Sequence, residues 1–284
     1  MGQLKRNIVE DSFSLNSTAS YDLSILVGVD RFFYLVNDDQ NRVLALRQYN
    51  FANKGSFVLL KSPLKLTLVN DKLLGQGYRK TRVGLFSKRS ALIPESLFET
   101  GKEQIYLTNT SPAEDVEKVF NDKVEGQGVR NVYAFNREIW QLLNTYFPKA
   151  VFYHASTPLI GTTGKLPLFQ EGSHLLVNVI GQDMQIIHFD KGKIIFHNTF
   201  TYQTTNDFVY YVMLVIDQLG LRAEKISTSL SGELMEASEI FEQITRYIRH
   251  VNFVNRPSFL RYSSNFDNLP EHLFFDLYSL KLCG

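Results

Sequence analysis

The segment Leu23–Tyr49, LSILVGVDRFFYLVNDDQNRVLALRQY, returns in outline as His174–Phe200, HLLVNVIGQDMQIIHFDKGKIIFHNTF. Each copy has an apolar strand, a short polar crossing, a second strand, a turn of Asp, Gly or Asn residues and a third strand. Slid without gaps by 151 positions, the first copy puts Asp39 on Asp190, Asn41 on Gly192 and Val43-Leu44 on Ile194-Ile195. One supersecondary unit in each half constrains the fold to two related lobes facing each other across a cleft, where a ligand would sit.

A chain of 284 residues is long for one core and suits two domains, drawn at 1–155 and 156–284. The net charge of +1 gives no global reason to expect nucleic acid or an anionic membrane as partner. Residues 1–150 hold 20 Lys and Arg against 16 Asp and Glu, and the remainder 10 against 13, an asymmetry that would help the lobes close. No apolar run reaches the roughly 18 residues of a membrane helix. The opening MGQLKRNIVEDSFSLN lacks the apolar centre of a signal peptide, and Arg6 breaks the myristoylation pattern that Gly2 begins. Cys283 is the single cysteine and allows no internal disulfide. The expectation is a cytoplasmic location without membrane insertion.

Along the chain, residues 1–20 read as a loose lead-in, and Ser62-Pro63 opens a helix running to about Leu74, ended by Gly75. Strands are predicted at Thr81–Phe86, Ser90–Ile93 and Gln104–Thr108. Ser111-Pro112-Ala113-Glu114 is a capping box that would open a short helix. After Gly126-Gln127-Gly128 come strand Val129–Phe135, a helix capped by Asn136 and strand Ala150–His154. Ser156-Thr157-Pro158 starts a short helix, and Gly161–Gly172 reads as the linker between lobes. Beyond the second three-strand unit, helices are predicted at Asp207–Leu219, Glu233–His250 and Leu269–Cys283, with a strand at Lys225–Leu230. Three antiparallel strands followed by helix, strand, helix, strand, twice over, make an α/β fold of mixed sheets flanked by helices.

In this layout the chain resembles the actin-like ATPase superfamily, whose members are two ribonuclease-H-like lobes, from about Leu23 to the end. It looks closest to an uncharacterised bacterial domain-of-unknown-function family, number 3822. The resemblance implies where nucleotide chemistry would sit. Active members carry, in each lobe's first hairpin, an Asp-x-Gly turn whose amides hold phosphate while the carboxylate orients metal and water. Only glycine lets the backbone approach a phosphate so closely. Here Val27-Gly28-Val29-Asp30-Arg31-Phe32 puts Asp30 at the acidic position and Phe32 at the glycine. Val177-Asn178-Val179-Ile180-Gly181 puts Asn178 at the acidic position and Ile180 at the glycine, leaving Gly181. This motif match uses an offset of 148 (Asp30 onto Asn178), which would give the second turn three extra residues; both registers stay open. The adenosine-cradling turn corresponds to Leu230-Ser231-Gly232-Glu233, with one glycine before a helix.

The resemblance therefore implies a nucleotide-binding set of Asp30, Asn178, Gly181, Ser231 and Gly232, with Asp30 the sole catalytic candidate. Phe32 and Ile180 would fill the triphosphate space, which disfavours ATP and magnesium as cofactors. Other constellations carry less. Gly161-Thr162-Thr163-Gly164-Lys165 lacks a phosphate loop's flanks, since Leu159 and Leu166 replace the required Gly and Ser or Thr. His188 and His197 flank the Asp190-Lys191-Gly192 turn and could face each other, too few ligands for a metal. The basic stretch Gly75–Lys80, with Arg82, Lys88 and Arg89 behind it, reads as a solvated loop before a phosphate site. Phe253, Phe259, Tyr262 and Phe266, with Arg256 and Arg261, form either a partner surface or a loop tucked onto the second lobe. The expected function is a non-catalytic or weakly nucleotide-binding protein that engages a protein partner. The rival is an ATP-dependent enzyme or assembly ATPase with atypical phosphate loops.

Overall fold

The computed structural model describes residues 1–52, 56–108, 110 and 116–283. An opening strand, β1 (Gln3–Val9), precedes the first unit: β2 (Asp22–Val27), β3 (Arg31–Asn37), β4 (Val43–Asn50), α1 (Phe57–Asn70) and β5 (Lys80–Leu85). An insertion follows, made of β6 (Ser90–Pro94), α2 (Glu103–Tyr106), β7 (Glu117–Val124) and β8 (Val129–Asn136); α3 (Arg137–Tyr146) and β9 (Val151–His154) complete the unit. Helices α4 (Ser156–Thr163) and α5 (Pro167–Gln170) lead to the second unit: β10 (Ser173–Ile180), β11 (Asp183–Asp190), β12 (Lys193–Thr201), α6 (Thr205–Gln218), β13 (Ser227–Gly232), α7 (Glu239–Tyr247) and β14 (His250–Phe253). The short α8 (Phe275–Ser279) lies close to the end.

The sequence repeat is a repeat of topology. Strands run β4-β3-β2-β5-β9 in one sheet and β12-β11-β10-β13-β14 in the other. In both, the first three pair antiparallel and the last two join in parallel. β1 adds an edge to the first sheet, and the insertion forms its own sheet, β6-β8-β7. Parallel joins need crossovers, and α1, α3, α6 and α7 supply them.

The pairings also fix the register. Val27 pairs with Phe32 and the Gly28 N–H donates to the Arg31 carbonyl, leaving Val29-Asp30 as the turn; Ile180 pairs with Asp183, leaving Gly181-Gln182. A bulge falls between Val36 and Asn37 in the first lobe and between His188 and Phe189 in the second. Both landmarks superpose at an offset of 152 (Val36 onto His188). Past the β3–β4 turn the offset becomes 151 (Leu44 onto Ile195), as the ungapped slide has it. The three-residue expansion of the second turn is thus corrected. The two turns are equal in length, Asp30 matches Gln182, and Asn178 matches Leu26.

Strand alternation gives each sheet two apolar faces. Leu23, Ile25, Val27, Phe32 and Tyr34 face α1 and α3, whereas Leu26, Phe33 and Leu35 face the closing segment of the chain. Leu175, Val177, Val179, Met184 and Ile186 face α6 and α7, and Leu176, Ile187 and Phe189 face α4. Burial on both faces is why these strands read as continuous apolar runs.

Several sequence expectations change. The lead-in is ordered: β1 pairs with β4, and the Gly2 N–H donates to Thr67 Oγ1 at 2.9 Å. Helix α1 begins at Phe57, with Pro63 inside it, because Leu60, Leu64 and Leu68 form a buried stripe that outweighs the proline. Gln104–Thr108 is helix α2 and a turn rather than a strand. The Ser111–Glu114 capping box lies outside the described residues, and from Glu117 the chain is strand β7. Gly161–Gly172 joins the two units through the end of α4 and through α5 rather than as an irregular loop; α4 is buried throughout, and Leu159, Ile160 and Phe169 lie in a core that joins Val124 to the second sheet. The helix expected over Glu233–His250 covers only Glu239–Tyr247, and β14 starts at His250. The last predicted helix contracts to α8 plus a 3-10 turn, Leu280–Leu282. Its segment packs on the first sheet: Leu260, Phe266, Leu273, Phe274 and Leu277 meet Leu26, Phe33 and Leu35. Of the aromatic and Arg stretch, Phe253 ends β14 and packs on the second lobe's core, whereas Phe259, Tyr262 and Phe266 form a tucked segment held by the first lobe. His197 pairs with Ile187, so His188 and His197 point to opposite faces.

Candidate functional site

A cleft of about 730 Å³ lies between the two hairpin turns, and its lining includes Asp30, Arg31, Phe57, Lys88, Arg89, Asn136, Ile180 and Gly181. A cleft of that size suits a small ligand or a peptide side chain cluster. Arg31 crosses it. Its guanidinium takes both Asp30 oxygens, at 2.7 and 2.9 Å, and pairs with Glu233, which lies between β13 and α7. Glu233 also accepts the Gly181 N–H at 3.0 Å and the Gln48 amide at 3.2 Å. Gly181 has φ +63°, and a Cβ there would collide with the Arg31 guanidinium. The close approach that a glycine permits is thus made by an arginine of the other lobe. Lys88 makes a second crossing, to Asp183 Oδ1 at 2.8 Å and Thr201 Oγ1 at 2.6 Å.

The five sequence candidates fall into two groups. Asp30 and Gly181 meet in the cleft through Arg31. Asn178, Ser231 and Gly232 lie behind it in a buried knot. Ser231 Oγ donates to Asn178 Oδ1 at 2.8 Å, and the Asn178 amide reaches Asp276 at 3.4 Å and Gln185 at 3.5 Å. Burial pushes the Asp276 carboxyl above its ordinary range, opposed by its hydrogen bonds from the Leu277 N–H and Asn178. Gly232 has φ +81° and sits so close to the Val179 backbone that any Cβ would strike it. Phe32, expected in the triphosphate space, is fully buried in the first core against Tyr34 and Tyr49 and does not line the cleft. Ile180 does line it.

Sequence reasoning gave no role to Arg31 or Glu233 and read Arg89 with a solvated basic stretch. Arg31 and Arg89 sit at the ends of the apolar runs of β3 and β5–β6, positions where only the fold brings charge to the cleft. Arg89 is 6% exposed, and its Nη1 lies 3.4 Å from Glu117. The basic residues Arg79 and Arg82, by contrast, both turn to Asp22 on the far end of β2, at 2.8 and 3.4 Å. Among the described residues no group of three His, Cys, Asp or Glu side chains is placed to hold a metal.

The family model described as a protein of unknown function, DUF3822, matches residues 10–251. The chain belongs to that family. The DUF3822 chain matches no curated protein. Among solved structures it is similar to a Bacteroides thetaiotaomicron protein with actin-like ATPase fold and unknown function, at TM-score 0.82 and 22% identity, covering 96% of this chain and 99% of that one. A second similar structure is the PilM–PilN type IV pilus biogenesis complex, at TM-score 0.59 and 12% identity over 92% and 97% of the two chains. A third is the ethanolamine utilization protein EutJ from Carboxydothermus hydrogenoformans, at TM-score 0.53 and 10% identity over 93% and 90%. The DUF3822 chain thus has the actin-like ATPase fold, two ribonuclease-H-like lobes each built on a mixed sheet. At such identities the likeness concerns fold alone.

Proposed function

We propose that this DUF3822 protein is an actin-like scaffold that binds a partner protein in the cytoplasm and does not turn over nucleotide. The observation that carries the reading is the Arg31 crossing. The Gly181 amide, which a phosphate would need, is donated to Glu233, and the guanidinium beside it is balanced by two carboxylates. A triphosphate entering there would lose those ion pairs and meet Asp30 and Glu233 as like charges. The residues present do not fit a magnesium–triphosphate group, and no step of chemistry is assigned to one. The fold shared with a chain of the PilM–PilN type IV pilus biogenesis complex supports a partner-binding role. Among the described residues no helix is long and apolar enough to cross a membrane.

The test is thermal unfolding with ATP, ADP or GTP at millimolar concentration with magnesium. A ligand at a hundred times its dissociation constant stabilises by about 2.7 kcal/mol, which a melting curve resolves. The expected result is no shift. A shift that Asp30→Ala abolishes would establish the rival, an ATP-dependent protein with atypical loops.

A further inference from the structure

The cleft between the hairpin turns keeps its charges to itself. Among the described residues, every charged side chain of its lining has an opposite one beside it. Arg31 has Asp30 and, across the cleft, Glu233; Lys88 has Asp183 at 2.8 Å, and Arg89 has Glu117 at 3.4 Å. Uncharged polar groups there are engaged too. Thr201 Oγ1 accepts from Lys88 and donates to Asp183, each at 2.6 Å, and Ser87 Oγ accepts the Arg89 N–H at 3.1 Å. Asn136 caps α3, with Glu138 in the first turn of that helix, and Glu233 holds the Gly181 N–H.

What the wall offers a ligand is carbon. Phe57, the first residue of α1, is half-buried and meets Phe135 edge to face at 5.0 Å. Phe86, next after β5, and Ile180, at the end of β10, line the cleft from the two lobes. A cavity of about 730 Å³ has room for a drug-sized molecule.

These two properties set the class of ligand. A charged molecule would have to part an ion pair, and a charge left unpaired in a half-closed site is costly. An uncharged molecule leaves every pair standing and gains by releasing water from the aromatic carbons. Rings suit the wall further, because aromatic side chains favour edge-to-face and offset packing.

We propose that the cleft is a binding site for an uncharged aromatic small molecule. Phe57, Phe86, Phe135 and Ile180 hold it, and the ion pairs of the lining select against charged analogues. The site stands apart from the partner-binding reading, and either can fail while the other holds.

Two dyes on one scaffold test it. N-phenylnaphthylamine is uncharged, anilinonaphthalene sulfonate is the same scaffold with a sulfonate added, and both brighten on leaving water. Titrated into the full chain, the neutral dye is expected to saturate at one molecule per chain, with the sulfonate binding at least tenfold more weakly. Phe57→Asp sets a carboxylate in the apolar wall and should weaken the neutral dye at least tenfold. Leu59→Asp, on the exposed outer face of α1, should leave its affinity unchanged. Gln182 is an exposed residue of the lining, so Gln182→Trp, which fills the space with a ring, gives the same reading if Phe57→Asp fails to fold. No binding of the neutral dye, equal or tighter binding of the sulfonate, or an affinity that neither cleft variant lowers overturns the proposal. So does loss of binding in Leu59→Asp, which would place the dye on the outside of α1.

Discussion

Asp122, on β7, accepts three hydrogen bonds: from the His154 N–H at 2.7 Å, from Thr157 Oγ1 at 2.8 Å and from the Tyr133 hydroxyl at 3.5 Å. Burial nevertheless pushes its carboxyl up to about 7, and burial pushes the neighbouring His154 ring down to about 4. The folded state therefore keeps a proton on Asp122 that the unfolded chain releases near pH 4, so this group's stabilisation fades as pH rises from about 4 through 7. His154 acts oppositely: its contribution is present above about 6.5 and is lost as pH falls toward 4. The two slopes overlap and offset each other. Asp122→Asn keeps an acceptor for His154 and Thr157 and removes the first slope. The variant should gain stability relative to wild type as pH rises, by up to about 1.4 kcal/mol per pH unit between 4 and 7. Urea denaturation across that range measures it, and a constant difference would mean the carboxylate ionises freely. Nothing in EKVFNDKV marks Asp122, because its burial comes from the insertion folding onto β9. Asp30 was legible as a turn carboxylate, but the other carboxylate on its partner Arg31, Glu233, lies far along the chain and only the closed cleft reveals it.

At the scale of elements, the strands were the readable part of the chain. Both three-strand units, β5, β8 and β9 follow from apolar runs bounded by turn residues, and Asn136 announces α3 through its side-chain bonds to the Glu138 and Ile139 N–H groups. Helix α6 is equally plain, since Thr204 and Asp207 form a capping box. Misreadings cluster where tertiary contact overrides a local signal. Gly161 looks like a linker residue and sits in buried α4, whose start at Ser156-Thr157-Pro158 was legible. Pro63 looks like a helix start and is the seventh residue of α1. There it removes an N–H that would bond the Leu59 carbonyl, and its ring crowds that carbonyl. Pro63→Ala should restore the bond and stabilise the fold by about 1–3 kcal/mol. A higher urea midpoint at unchanged slope is the expected outcome; an unchanged or lower midpoint would mean that α1 is already bent to suit the proline.

At the scale of the whole molecule, the chain's end ties the lobes together. After β14 the backbone leaves the second sheet and packs on the first, where Arg261 bridges to Arg42 and Ser263 Oγ donates to Glu10 at 2.6 Å. Lys281 reaches Asp22 at 2.8 Å; burial alone would raise that carboxyl, but Arg79 and Lys281 hold it at about 2. Arg31 and Lys88 cross the cleft on the other side. Two lobes stitched by a shared apolar core and several ion pairs should unfold in one step, unlike domains joined by a flexible linker. The chain offers a direct probe, because its one tryptophan, Trp140, lies on α3 of the first lobe and packs against Phe120 and Phe152. Its fluorescence should change at the same urea concentration as the far-ultraviolet circular dichroism of both lobes. Leu230→Ala, a cavity placed in the second sheet, should cost about 2–5 kcal/mol. It should move the Trp140 midpoint by the same amount as the dichroism midpoint. If the tryptophan transition stayed in place while dichroism lost half its amplitude early, the lobes would be independent. The closing segment would then be a surface strap, and the Arg31 crossing too weak to hold the cleft against a nucleotide.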